Sequence, residues 1–131
     1  MAEAKVIVKG VDKTLARLAR MNPRARQALK AALYMEGENI MGESKRQVPV
    51  DTGNLRTTGH VEPPKEASGI ITVTLGYGGP AAPYAVYIHE DLTKRHAVGK
   101  AKYLEDPANE AAKGLTERVG RRVREAVEEE R

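Results

Sequence analysis

The chain has 131 residues, no cysteine, and a formal net charge of +4 from 22 basic and 18 acidic side chains. That length supports one domain with a real hydrophobic core, while the missing thiols exclude a disulfide scaffold, a thiolate zinc site and a cysteine nucleophile. There is no Phe or Trp and only five tyrosines, so Leu, Val, Ile, Ala and Met must fill most of the core, and the mild basicity is not the profile of a dedicated nucleic-acid binder.

No stretch approaches the roughly 18 apolar residues of a membrane span. The leading MAEAKVIVKG carries Glu3 and has no apolar signal core, so no secretory signal is expected. Ala4 to Val8 has the composition of a short strand, closed by Gly10. Val11 to Arg20 predicts a helix, with Asp12 able to cap it and Leu15 and Leu18 on one face. Asn22-Pro23 marks a stop and a new start, because proline is tolerated where the first helical N–H is unpaired anyway. A long central helix follows, from about Pro23 to about Gln47. Ala25, Leu29, Leu33 and Ile40 share one side of it, with Met41 and Ser44 at the border. Gly37 and Gly42 weaken that helix but allow close approach of a neighbour.

Pro49 forces Val48 out of the helical region, and Pro49, Asp51, Thr52 and Gly53 together predict a turn. His60 to Glu62 and Ile70 to Tyr77 are expected strands, joined through a Pro63-Pro64 loop reaching residue 69. In the second strand, Ile71, Val73 and Leu75 alternate with Thr72 and Thr74, giving one buried face and one wet face. Tyr84 to Ile88 is a further strand or a single helical turn. Residues 89–102 are polar and are expected to form an exposed loop. Asp106 is expected to cap the last helix with Pro107 at its first position. Ala108, Ala111, Leu115, Val119 and Val123 form its apolar stripe. The expected organisation is a single α+β domain over 1–131: a small antiparallel sheet packed on the long central helix and a C-terminal helix, with extended loops. Residues 121–131 are a charged helical tail, solvated or frayed.

Few constellations carry chemistry. His89, Glu90 and His96 contain metal-ligand types, but the spacing is not that of HExxH, whose two imidazoles share one helical face. Asp51 has turn duties and no second carboxylate placed to split the pKa values. Ser44 and Ser68 lie in no nucleophile motif, and Gly76-Tyr77-Gly78-Gly79-Pro80 lacks the Lys-Ser/Thr of a phosphate loop. Lys13, Arg17, Arg20, Arg24, Arg26 and Lys30 form a basic patch against Asp12 alone, so the charge excess of the chain lies there. It suits passing DNA, an acidic partner, or a merely solvated face. No aromatic accompanies it, so base stacking is not on offer.

Three stretches in order carry a resemblance. They are Val48 to Arg56 (VPVDTGNLR) after the long helix, Tyr84 to Glu90 (YAVYIHE), and Gly99 to Pro107 (GKAKYLEDP) before the C-terminal helix. Together they resemble the tailed-bacteriophage minor capsid and tail-component proteins of the head–tail junction, variously called neck, tail-completion or tail-terminator proteins. The similarity spans about residues 20 to 125. Asp91-Leu92 and Lys102-Tyr103-Leu104 stand where many relatives have Gly-Thr and Pro-Phe-Leu.

The resemblance implies a structural virion protein with no catalysis and no cofactor or metal. It would form a homo-oligomeric ring, a hexamer by first expectation, between the connector or stopper protein and the tail tube protein. Packaged DNA would pass through the channel, no membrane would be involved, and assembly would take place in the host cytoplasm. Tyr84, Tyr87, His89, Glu90, His96, Lys102 and Tyr103 are the expected interface residues. Two rival readings stand beside this one: a metal-dependent hydrolase using His89, Glu90 and His96, and a basic DNA-binding module.

Overall fold

A computed structural model describes residues 4–9, 13–47, 57–67, 70–77, 85–91, 94–97 and 102–129. Among them are strands β1 (Ala4–Lys9), β2 (His60–Val61), β3 (Lys65–Ala67), β4 (Ile70–Gly76), β5 (Ala85–Asp91) and β6 (Lys94–Ala97). The helices are α1 (Lys13–Met21), α2 (Pro23–Gln47), α3 (Lys102–Ala112) and α4 (Leu115–Glu128). The α+β class read from the sequence holds.

Helix α2 is the axis of the molecule. At 25 residues it is about 37 Å long. Its start is set locally: the Asn22 side-chain oxygen accepts from the backbone N–H groups of Arg24 (2.9 Å) and Ala25 (3.1 Å). This caps the helix that Pro23 opens. The Asn22 N–H meanwhile donates to the Leu18 carbonyl at 2.9 Å, closing α1. Ala25, Leu29, Ala32, Leu33, Gly37, Ile40, Met41 and Ser44 are all buried, so the apolar stripe of the sequence is the stripe in the core. One side of α2 meets β2 and β4, others pack against α1, α3 and α4, and Gln27, Ala31, Met35, Glu38 and Asn39 stay exposed. Gly37 lets the helix close on the sheet, since a Cβ there would stand 3.0 Å from Val73 Cγ1 and 3.1 Å from Val61 Cγ1. Gly42 faces open space, so close approach explains only the first of the two glycines.

The sheet departs from the small antiparallel one expected. It has six strands in the order β2-β4-β1-β5-β6, with β3 pairing β4 on the β2 side. It is mixed: β1 runs antiparallel to β4 and parallel to β5, with Ile7 opposite both Thr74 and Ile88. No short turn can join parallel neighbours, so local pattern could not reveal that pairing. Two expected loops also contain strands. Residues 65–67 pair with β4 as β3, inside the expected Pro63-Pro64 loop. Within 89–102, residues 89–91 complete β5 and 94–97 form β6, with Tyr87 opposite Ala97 and Ile88 opposite His96. β6 reads Lys-Arg-His-Ala and has no alternating apolar face to betray it.

The C-terminal helix is two helices. α3 starts at Lys102, not at Asp106, and Pro107 lies inside it. Proline there removes one internal hydrogen bond. The outweighing term is burial: Leu104 and Ala108, four apart on one side, are both in the core. α3 ends before Gly114, whose φ of 71° and ψ of 8° lie in the left-handed region that glycine tolerates best. The expected stripe Ala108, Ala111, Leu115, Val119, Val123 does face the core, but across this break. The tail is no frayed appendage through Glu128: Val123 is buried, Val127 packs against the core, and Arg24 Nε donates to the Ala126 carbonyl at 3.1 Å.

Candidate functional site

The basic stretch of residues 13–30 does not remain one patch. Arg26 and Lys30 turn to Glu66 on β3, at 3.9 Å and 3.4 Å, and Arg26 also donates to the Arg20 carbonyl. Arg24 ties down the end of α4. Half of the six cations therefore serve the fold. Lys13, Arg17 and Arg20 stay on one exposed face of α1, because spacings of four and three return to the same side of a helix.

Sequence reasoning missed the other half of this surface, which comes from α4. Gly120 faces Leu15, whose Cδ1 would be 3.6 Å from an added Cβ, so α1 and α4 touch there through the Leu15 side chain. Beside that contact lies an open groove of about 380 Å³, walled by Thr14, Thr116, Glu117, Arg121 and Arg124 over Leu15 and Gly120. Arg121 and Arg124 are exposed. The signal was in the sequence as Arg-Arg-Val-Arg at 121–124, but its alternating charges suggested only a solvated tail. Which cations face α1 is decided by the burial of Val119 and Val123.

A second groove of about 280 Å³ lies between α2 and the α3–α4 junction, lined by Glu36, Glu43, Glu110 and Arg118 among others. Glu36 is buried. Arg118 grips it in two places, Nη2 to Oε1 at 2.8 Å and Nε to Oε2 at 3.0 Å. The same guanidinium donates to the carbonyls of Lys113 and Ala111, the unpaired C-terminal end of α3. The hydrogen bonds to Glu36 raise the Arg118 pKa above its ordinary value, outweighing desolvation. Glu43 is held below the usual carboxylate range by its hydrogen bond from Arg46, then by Gln47. Glu110 lies 3.6 Å from Lys113. Each carboxylate has its own cation, which neutralises charge and leaves no acid–base couple poised for proton transfer.

Ser44 is no nucleophile. Its hydroxyl is buried and hydrogen-bonded to the Tyr77 hydroxyl at 2.7 Å. The Tyr77 ring meets Tyr103 edge-on, with centroids 5.3 Å apart and planes at 89°. Tyr103, an expected interface residue, is half-buried and spends its ring on the core of its own chain. His89, Glu90 and Tyr87 lie on β5, His96 on β6 and Lys102 at the start of α3. The register sets His96 opposite Ile88, not opposite His89. Tyr84 and the turn residues Pro49, Asp51, Thr52 and Gly53 fall outside the described residues. Among the described residues no group of three His, Asp or Glu could hold a metal ion, and no helix is long and apolar enough to cross a membrane.

A family model described as "Bacteriophage HK97-gp10, putative tail-component" matches residues 12–106, well over half of the chain. The matched span takes in α1, α2, all strands after β1 and the first turn of α3. The comparison with curated proteins and that with solved structures each returned no match.

Proposed function

Because the chain belongs to the HK97-gp10-like family of bacteriophage tail components, we propose that it is a ring subunit at the head–tail junction, joining the connector to the tail tube and acting by assembly. The family match carries this reading. The fold supplies what a ring needs. Among the described residues the sheet ends at β6 on one side and at β2 and β3 on the other, and strand edges offer unpaired backbone groups to a neighbour. Two different edges on one subunit suit head-to-tail contact, which closes into a ring when the rotation permits. β5 and β6 bring Tyr87, His89, Glu90 and His96 to the β6 end of the sheet, so these residues remain the interface candidates. Partners are further copies, a connector or stopper protein and the tail tube protein, met in the virion after assembly in the host.

The test is purification of the full chain followed by native mass spectrometry and negative-stain microscopy, alone and with tail tubes. Closed rings, or capping of tube ends by this protein, are expected. A subunit that stays monomeric and leaves tube ends bare would overturn the reading.

A further inference from the structure

We propose that the surface shared by α1 and α4 seats the phosphodiester backbone of double-stranded DNA, with Arg17, Arg121 and Arg124 as the principal contacts. Lys13, Arg17 and Arg20 from α1 and Arg121 and Arg124 from α4 are exposed, and none is in an ion pair among the described residues. That separates them from Arg24, Arg26 and Lys30, which the fold already uses. The groove between them has room for phosphate oxygens, and its walls add the Thr14 and Thr116 hydroxyls. Arginine, lysine and threonine are the side chains that position a phosphate backbone. Glu117 is the one carboxylate among the described residues of those walls, against two arginines.

Two features favour DNA over an acidic protein partner. Stable protein interfaces have an apolar, charge-depleted centre, whereas here Leu15 is buried beneath the groove and Met21, at the far end of α1, is the one large exposed apolar side chain of the two helices. Among the described residues the groove has no aromatic ring, which offers no platform for single strands to stack on and favours the duplex backbone as the fitting form. The proposal rests on the tail-component reading for one point only, that duplex DNA is present where the protein works.

The experiment uses the full chain and a labelled duplex of about 30 base pairs, read by fluorescence anisotropy from about 50 to 200 mM salt. Wild type should bind at low salt and weaken steeply as salt rises. R121A/R124A should lose at least about tenfold in affinity and lower the log–log salt slope by about two, one per lost phosphate contact. R46A/K113A removes two charges elsewhere and should stay within about twofold of wild type, since affinity would then follow position and not net charge. No binding by wild type, or equal losses in both variants, would overturn the proposal. So would tighter binding of a polyglutamate chain than of the duplex, which would make this an acidic-protein surface. Ring formation is followed in parallel by sedimentation: rings without DNA binding would sink this proposal alone, and DNA binding without rings would sink only the assembly reading.

Discussion

Ser44 and Glu36 are the two buried polar side chains of the described core, and both are on α2. A buried polar group is tolerated when its hydrogen bonds are made and is expensive when they are not. Tyr77→Phe would remove the partner of the Ser44 hydroxyl without changing the ring stack on Tyr103. The expected cost is about 1–3 kcal/mol, seen as a lower midpoint in chemical denaturation. Adding Ser44→Ala should restore part of it, because no orphaned hydroxyl then remains; equal stability of Tyr77→Phe and wild type would contradict the pairing. Gly59 shows the same density of packing. A Cβ there would fall 2.7 Å from Lys45 Cε, 2.8 Å from Tyr77 Cε1 and 2.9 Å from Met41 Sδ, so glycine holds that position for lack of space.

At the scale of elements, the Glu36–Arg118 pair binds α2 to α4 and closes the end of α3 in one guanidinium. Removing one partner of such a pair strands the other, at about 3–5 kcal/mol when both are fully buried. Here the Arg118 side chain is 37% exposed and keeps its two carbonyl acceptors. Glu36→Ala should therefore cost less, about 2 kcal/mol. The double variant E36L/R118M should recover most of that loss, limited by the α3 carbonyls left without donors. Denaturant midpoints of E36L, R118M and the double check this as a thermodynamic cycle, and additivity would mean the pair is not coupled. The pairing was illegible beforehand, because the two residues lie 82 positions apart and a charged residue within an apolar stripe looks like an interruption. β6 and the start of α3 were missed for related reasons: one lacks an apolar face, and the other is set by Leu104 burial that overrides the breaking signal of Pro107.

For the whole molecule, charge and packing divide the helical layer. α4 covers α2 with Val119 and Val123 and presents arginines on its outer side. Ending the chain after Gly120 would uncover the residues beneath Val123 and Val127 and cut the Arg24 tie to Ala126. Burial of two valines is worth about 3–5 kcal/mol, so Tm should fall by more than about 10 °C. Thermal unfolding unchanged by the truncation would restore the free-tail reading that the charge pattern suggested. The proposed ring assembly through the sheet ends predicts that sedimentation of the full chain responds to changes on β6 and β3 before it responds to changes on α4.

The amino-acid sequence alone determined the α+β class, the limits of α2, the alternation of β4 and the tail-component resemblance. Each depends on signals within a few residues of one another: apolar spacing, a proline at a helix start, threonines between β-branched neighbours. Tertiary structure alone decided that β1 lies between β4 and β5, that Arg118 reaches Glu36, and that half of the basic patch is consumed internally while α4 replaces it. Those outcomes depend on distant segments competing for the same buried face and the same counter-charge, and that competition is settled only when the chain closes on itself.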